Sequence, residues 1–171
     1  MSATERQRLS VALVMVGLLV GTPALAQDAC SAGWPVNADR ARLTDPALAT
    51  IASGKPVEGA DEAAVRLALK PWSEADLPHP PERKPASSES YAGYLTFTAS
   101  GPVQISLSDA AWVDLIANGA PMSATSFTSV HYCPGVRKSL RFQLPDTPTS
   151  VVLQVSGARQ PALGIVLHRR P

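Results

Sequence analysis

From Tyr91 to the carboxyl end the chain alternates apolar and polar side chains with a period of two. Leu95, Phe97 and Ala99 stand against Tyr94, Thr96 and Thr98; after Ser100-Gly101-Pro102, Val103, Ile105 and Leu107 stand against Gln104, Ser106 and Ser108. Ala111, Val113, Leu115 and Ala117 then alternate with Trp112, Asp114 and Ile116. Successive side chains of a strand point to opposite faces, so each run predicts a strand with one face inward. Asn118-Gly119 is a two-residue hairpin signal, because both positions tolerate positive φ. Met122–Phe127 predicts a weaker strand. In Val136–Leu144 the inward set is Leu140, Phe142 and Leu144, with Arg137, Ser139, Arg141 and Gln143 outward. Val151, Leu153 and Val155 predict a further strand, and Leu163–His168 the last, after a turn over Gly157–Pro161.

The preceding stretch has a different texture. Residues 27–90 are rich in Pro and Ala and weakly periodic. Leu43–Ile51 reads as a short helix with Asp45 as N-cap, Pro46 at its first position and Gly54 ending it. Val65, Leu67 and Leu69 predict a strand. Leu77–Ser90, "LPHPPERKPASSES", predicts a partly polyproline-like surface loop. About eight short strands at roughly 10-residue spacing, with no long helix, predict an all-β, antiparallel β-sandwich or jelly-roll-like domain. Residues 27–90 would join 91–171 in that one domain, and the alternation predicts sheets with one buried and one wet face.

The amino terminus adds an address. Arg6 and Arg8 precede the apolar run Val11–Val20, Thr22-Pro23 breaks it, and Ala24-Leu25-Ala26 is a small-x-small site. This is the pattern of a secretory signal peptide over residues 1–26. The run is half the ~20 residues a membrane span needs, so no span is expected after cleavage, and the periplasm is the expected compartment. The leader carries two of the 15 basic and one of the 14 acidic residues, leaving 13 of each. Zero formal charge argues against nucleic acid or an anionic membrane surface as partner. The two cysteines, Cys30 and Cys133, would most simply pair in an oxidising compartment; a reactive thiol at Cys133 is the alternative.

Candidate chemistry is sparse. His79, His131 and His168 form no close pair, so no metal ligand set is expected. No Gly-x-Ser-x-Gly elbow occurs, and Cys133 beside His131 has no orienting carboxylate at a recognisable spacing, so no catalytic residue is assigned. Trp112 and Asp114 share a strand face, where an aromatic beside a carboxylate can hold a sugar or a cation; alternatively the indole covers the core edge and Asp114 caps a loop. Arg137 and Arg141, with Lys138 nearby, form either a small anion-binding patch or a solvated face. Trp34 and Trp72 are expected to pack the amino-terminal region onto the sheets.

The order "YAGYLTF", "GPVQISLSDAAWVDLI", "CPGVRKSLRFQL", "VVLQVSGA" and "LGIVLHRRP" resembles a family of small exported proteobacterial proteins without an established function, over about Cys30 to Pro171. Members are sometimes labelled homogentisate 1,2-dioxygenase. That label implies Fe(II), O₂ and ring cleavage through a His/His/Glu site, and those ligands map onto no motif here. More loosely, the strand order is similar to pre-peptidase C-terminal β-sandwich domains, a likeness of fold and not of function. The expectation is a periplasmic, non-catalytic β-sandwich without a cofactor, binding an unknown protein or small ligand near Trp112, Asp114, Arg137 and Arg141. A ring-cleaving enzyme and a structural envelope protein are the alternatives.

Overall fold

The computed structural model describes Cys30, residues 32–130 and residues 133–170; the leader and His131 lie outside the described residues. The described residues are all-β apart from one short helix and one 3₁₀ turn. In order the elements are α1 (Asn37–Leu43), β1 (Thr50–Ala52), β2 (Glu62–Ala68), β3 (Lys70–Pro71), a single 3₁₀ turn (Trp72–Glu74), β4 (Tyr91–Ala99), β5 (Pro102–Leu107), β6 (Trp112–Ala117), β7 (Ala120–Met122), β8 (Ser126–Ser129), β9 (Lys138–Gln143), β10 (Thr149–Ala158) and β11 (Ala162–Arg169).

They form two sheets. The first has six strands in the order β1-β2-β11-β5-β9-β8, and the second has five in the order β3-β4-β10-β6-β7. Every pairing is antiparallel except β1 with β2. Both sheets contribute to one hydrophobic cluster. Leu67, Ile105, Leu140, Phe142 and Ile165 come from the first, and Leu95, Phe97, Leu115, Leu153 and Val155 from the second. Apart from Ile165, whose strand was read without a parity, these are the inward positions that the alternation predicts. The hairpin at Asn118-Gly119 also forms as expected: Ala117 pairs with Ala120, and φ is 49° and 80° at the two central residues.

Four expectations are corrected. Among the described residues eleven strands form, not about eight, because β1, β3, β7 and β8 are two to four residues long and too short to show a period. Met122–Phe127 is not one strand. β7 ends at Met122 in the second sheet and β8 starts at Ser126 in the first, so the intervening residues carry the chain between layers. The helix ends at Leu43 instead of beginning there. Asp45 Oδ1 accepts a hydrogen bond from the Ala47 N–H at 2.8 Å, so Asp45-Pro46 closes a turn after the helix. Residues 50–52 then pair parallel with Arg66–Ala68.

The fourth correction concerns the supposed wet faces. Gln104 is 2% exposed, and Ser106, Ser139 and Gln154 are all 0%. These residues lie on the outer faces predicted from the period, but each face has a cover. The amino-terminal segment with α1 lies over the first sheet, and the Pro-rich loop lies over the second.

Candidate functional site

The first outer face is closed by a disulfide-anchored segment. Cys30 and Cys133 are bridged across 103 residues of chain, with Cα atoms 4.8 Å apart. The bridge sits in a second cluster with Ala32, Val36, Leu43, Val130, Val136 and Val166. Cys133-Pro134-Gly135 is the turn that leads into β9. Gly135 has φ 88°, and a Cβ there would collide with Thr44 Cγ2, so glycine is required both by the turn and by the approach of the α1 terminus. On α1, Asp39 and Leu43 are four apart and both buried, which puts them on one face toward the sheet.

Asp39 organises a buried polar network. It accepts from Gln104 Nε2 at 3.0 Å and from Ser106 Oγ, and His168 Nδ1 lies 3.1 Å from its other oxygen. Ser106 and Ser139 hydroxyls are 2.8 Å apart, and the Trp34 indole donates to Ser139 at 3.1 Å. Burial pushes the Asp39 carboxyl up; the hydrogen bonds and the charge of His168 outweigh it, and the group ends below its ordinary 3.8. Arg141 belongs here. Its Nε donates to Gln104 Oε1 at 3.0 Å and its guanidinium lies 4.0 Å from the centre of the Trp34 ring. Arg141 is therefore part of the closed face and is not brought to Trp112.

The second outer face is crossed by the Pro-rich loop. The Gln154 side-chain amide makes a pair of hydrogen bonds with the His79 backbone: Oε1 accepts from its N–H at 2.8 Å, and Nε2 donates to its carbonyl at 3.1 Å. Further on, the Glu82 N–H reaches Asp114 Oδ1 at 3.4 Å, and the Arg83 guanidinium lies 4.6 Å from the Trp112 ring centre. The loop is held at points and leaves clefts between them.

Trp112 and Asp114 come together as the sequence places them. The indole N–H donates to Asp114 Oδ1 at 3.0 Å. Asp114 also accepts from the Glu82 N–H, the loop cap that the sequence offered for it. Burial raises its carboxyl above the ordinary 3.8 despite both hydrogen bonds. Lys138 is the third member. On β9 it shares the inward parity of Leu140 and Phe142, and its ammonium lies 5.3 Å from the Trp112 ring centre and 3.1 Å from the Ala111 carbonyl. Burial, and then the like charge of Arg83, pull it below its ordinary 10.5, with Asp114 opposing.

Three clefts adjoin here. One, about 570 Å³, lies between His79–Glu82 and Asp114, Ile116 and Met122. A second, about 280 Å³, enters between the sheets past Val113, Met122, Ala124, Phe127, Leu140 and Phe142. A third, about 390 Å³, includes Arg83, Lys84, Arg137, Lys138, Trp112 and Ser156 in its lining. Arg137 thus joins the Trp112 site, whereas Arg141 does not. Ser156 is 1% exposed, and its Oγ is the one buried side-chain polar atom without a hydrogen-bond partner among the described residues. It pairs across from Trp112, at a bulge where the β10–β4 register shifts between Val155 and Ala158, and Gly157 has φ 71°.

Arg83 and Ser156 were not singled out as a site from the sequence, and Lys138 only as a neighbour of Arg137 and Arg141. Lys138 carries a readable signal, a lysine on the inward parity of a strand. Arg83 and Ser156 carry none, because only the path of the loop brings them to Trp112. The Fe(II) implied by the resemblance finds no donor set: no group of three or more His, Cys, Asp or Glu side chains comes together among the described residues. No helix among them is long and apolar enough to cross a membrane. Compared with known proteins, the chain matches no family model, no curated protein and no solved structure.

Proposed function

We propose that this is an exported, non-catalytic β-sandwich protein that binds a small molecule at the Trp112 cleft. The observation that carries the reading is the convergence of two clefts on one partly buried indole, with a third beside its partner Asp114. A concave site with apolar walls and a few placed polar groups is the usual form of a ligand pocket. The amino-terminal pattern and the disulfide support a periplasmic location.

The sign of the site favours an anion. A cation or sugar stacked on Trp112 would need the ring that Arg83 and Lys138 already approach, and its indole N–H is already committed to Asp114. The 390 Å³ cleft has four basic residues in its lining and no acidic one.

The test is a titration of ¹⁵N-labelled mature protein, refolded free of bound molecules, with a small-molecule extract of the periplasm. Amide shifts should concentrate at Trp112, Met122, Phe127 and Lys138. An extract that leaves all four unmoved at saturating amounts sinks the proposal.

A further inference from the structure

Two of the three clefts differ in chemistry, and they share a boundary. The 280 Å³ recess is walled by Val113, Met122, Leu140 and Phe142, which are inner-face residues of both sheets or stand at their edge. The 390 Å³ cleft carries Arg83, Lys84 and Lys138. Trp112, Phe127 and Lys138 line both. An apolar slot and a cationic rim therefore meet at three side chains.

The recess exists because of the crossover. β7 is the edge of the second sheet and β8 the edge of the first, and the chain passes between them over Ser123–Thr125. On this side each layer ends in a strand of three or four residues, too short to seal the core. Phe127 on β8 is left 68% exposed, the one large hydrophobic so placed among the described residues. At the rim, Arg83 and Lys138 hold like charges around one indole, and the buried Ser156 hydroxyl lines the cleft with no acceptor or donor for its hydrogen bond. An anion placed there would separate the like charges and accept from that hydroxyl.

On the reading that the Trp112 cleft is a ligand site, we infer that its ligand is a single-chain aliphatic carboxylate, with the head held by Arg83, Lys138 and Ser156 and the chain lying in the recess between Val113, Met122, Leu140 and Phe142. Trp112 and Phe127 then flank the chain where it leaves the rim. A single negative charge suits the site better than the two of a phosphate, because Glu82 and Asp114 stand beside the cations.

The test measures Kd by calorimetry, below micellar concentrations, for octanoate, decanoate, dodecanoate, dodecanol and dodecyl phosphate. Affinity should rise about fourfold per methylene until the recess is full. Dodecanol should bind at least roughly tenfold more weakly than dodecanoate, the worth of a charge-assisted bond. Arg83→Gln, on the exposed loop, and Lys138→Met, which keeps the stem, should each shrink that gap with the circular dichroism spectrum unchanged. Ala124→Trp should flatten the chain-length ladder. Equal binding of dodecanol and dodecanoate overturns the anionic head, a flat ladder in the unmodified protein overturns the recess as tail site, and tighter dodecyl phosphate overturns the monoanion. Failure of dodecanoate with cleft shifts from the periplasmic extract removes this inference and leaves the binding function standing; failure of both removes both.

Discussion

The two outer faces of the sandwich are built from similar material and end in different states. Each is a row of polar side chains on alternating strands, and each is covered by a segment poor in regular structure. On the first face the cover is fixed covalently through Cys30–Cys133, and beneath it the Asp39 network is joined by hydrogen bonds. On the second the cover is a Pro-rich loop held at Gln154 and Asp114, and beneath it Ser156 is unpaired and the clefts open. A polar face under a tight lid becomes a structural joint, whereas the same kind of face under a lid held at points keeps open clefts.

The largest test removes what makes the first lid tight. Cys30→Ser with Cys133→Ser should lower unfolding stability by up to about 4–5 kcal/mol, the chain-entropy value for so long a loop. Urea unfolding measures it, and hydrogen exchange should show the residues around Asp39 opening as freely as the Pro-rich loop. A loss below about 1 kcal/mol would mean that packing alone holds the segment.

Next is the centre of the closed network. Asp39→Asn turns one of the two oxygens into an amide donor, which must face either Gln104 and Ser106 or His168, and should cost about 2–4 kcal/mol at neutral pH. The Asp39 carboxyl is held below 3.8, so its contribution is complete above that value and is lost as pH falls through the folded pKa. The variant should lack this part of the acid limb. An unchanged acid limb would assign acid sensitivity to other groups.

Gln154→Ala comes third. It strips the His79 backbone of both partners on the buried side of the loop and should cost about 1–3 kcal/mol. Its particular signature is faster proteolysis within residues 77–90, with the disulfide-anchored face unaltered. Equal loosening of both faces would deny that the lids are independent.

The smallest effect should come from Asp114→Asn, within about 0.5–1 kcal/mol at neutral pH. Burial raises this carboxyl, so the sign is the reverse of Asp39: its contribution is present below the ordinary 3.8 and is lost as pH rises through the folded pKa. Stability profiles from pH 2 to 7 for the two variants should therefore depart from the parent in opposite directions, and parallel departures would remove the electrostatic half of the contrast.

Particular residues show what was legible. Leu95, Phe97, Ile105, Leu140 and Leu153 were readable as core because alternation is a local property of a strand. Cys30 and Cys133 were readable as a pair because there are only two cysteines. Trp112 and Asp114 were readable as neighbours because residues two apart share a face. Arg141 was assigned to the right face but the wrong surroundings: nothing in "RKSLRFQL" announces that Trp34, more than a hundred positions earlier, will lie over it. The helix over Leu43–Ile51 failed because Asp-Pro serves equally to open a helix and to close a turn, and the choice went to the segment that pairs with β2.

By itself, then, the sequence determined the strands long enough to show a period, the direction in which each side chain points, and the one available disulfide. These follow from backbone geometry over a few residues. Only the tertiary structure decided which outer face is sealed and which is open, since that depends on where two irregular segments come to lie and how each is tied down. Gln104 and Gln154 are the same residue type on equivalent outward positions. One completes a closed network beneath α1 and the other tethers a loop over the clefts, and only contacts 65 and 75 residues away in the chain distinguish them.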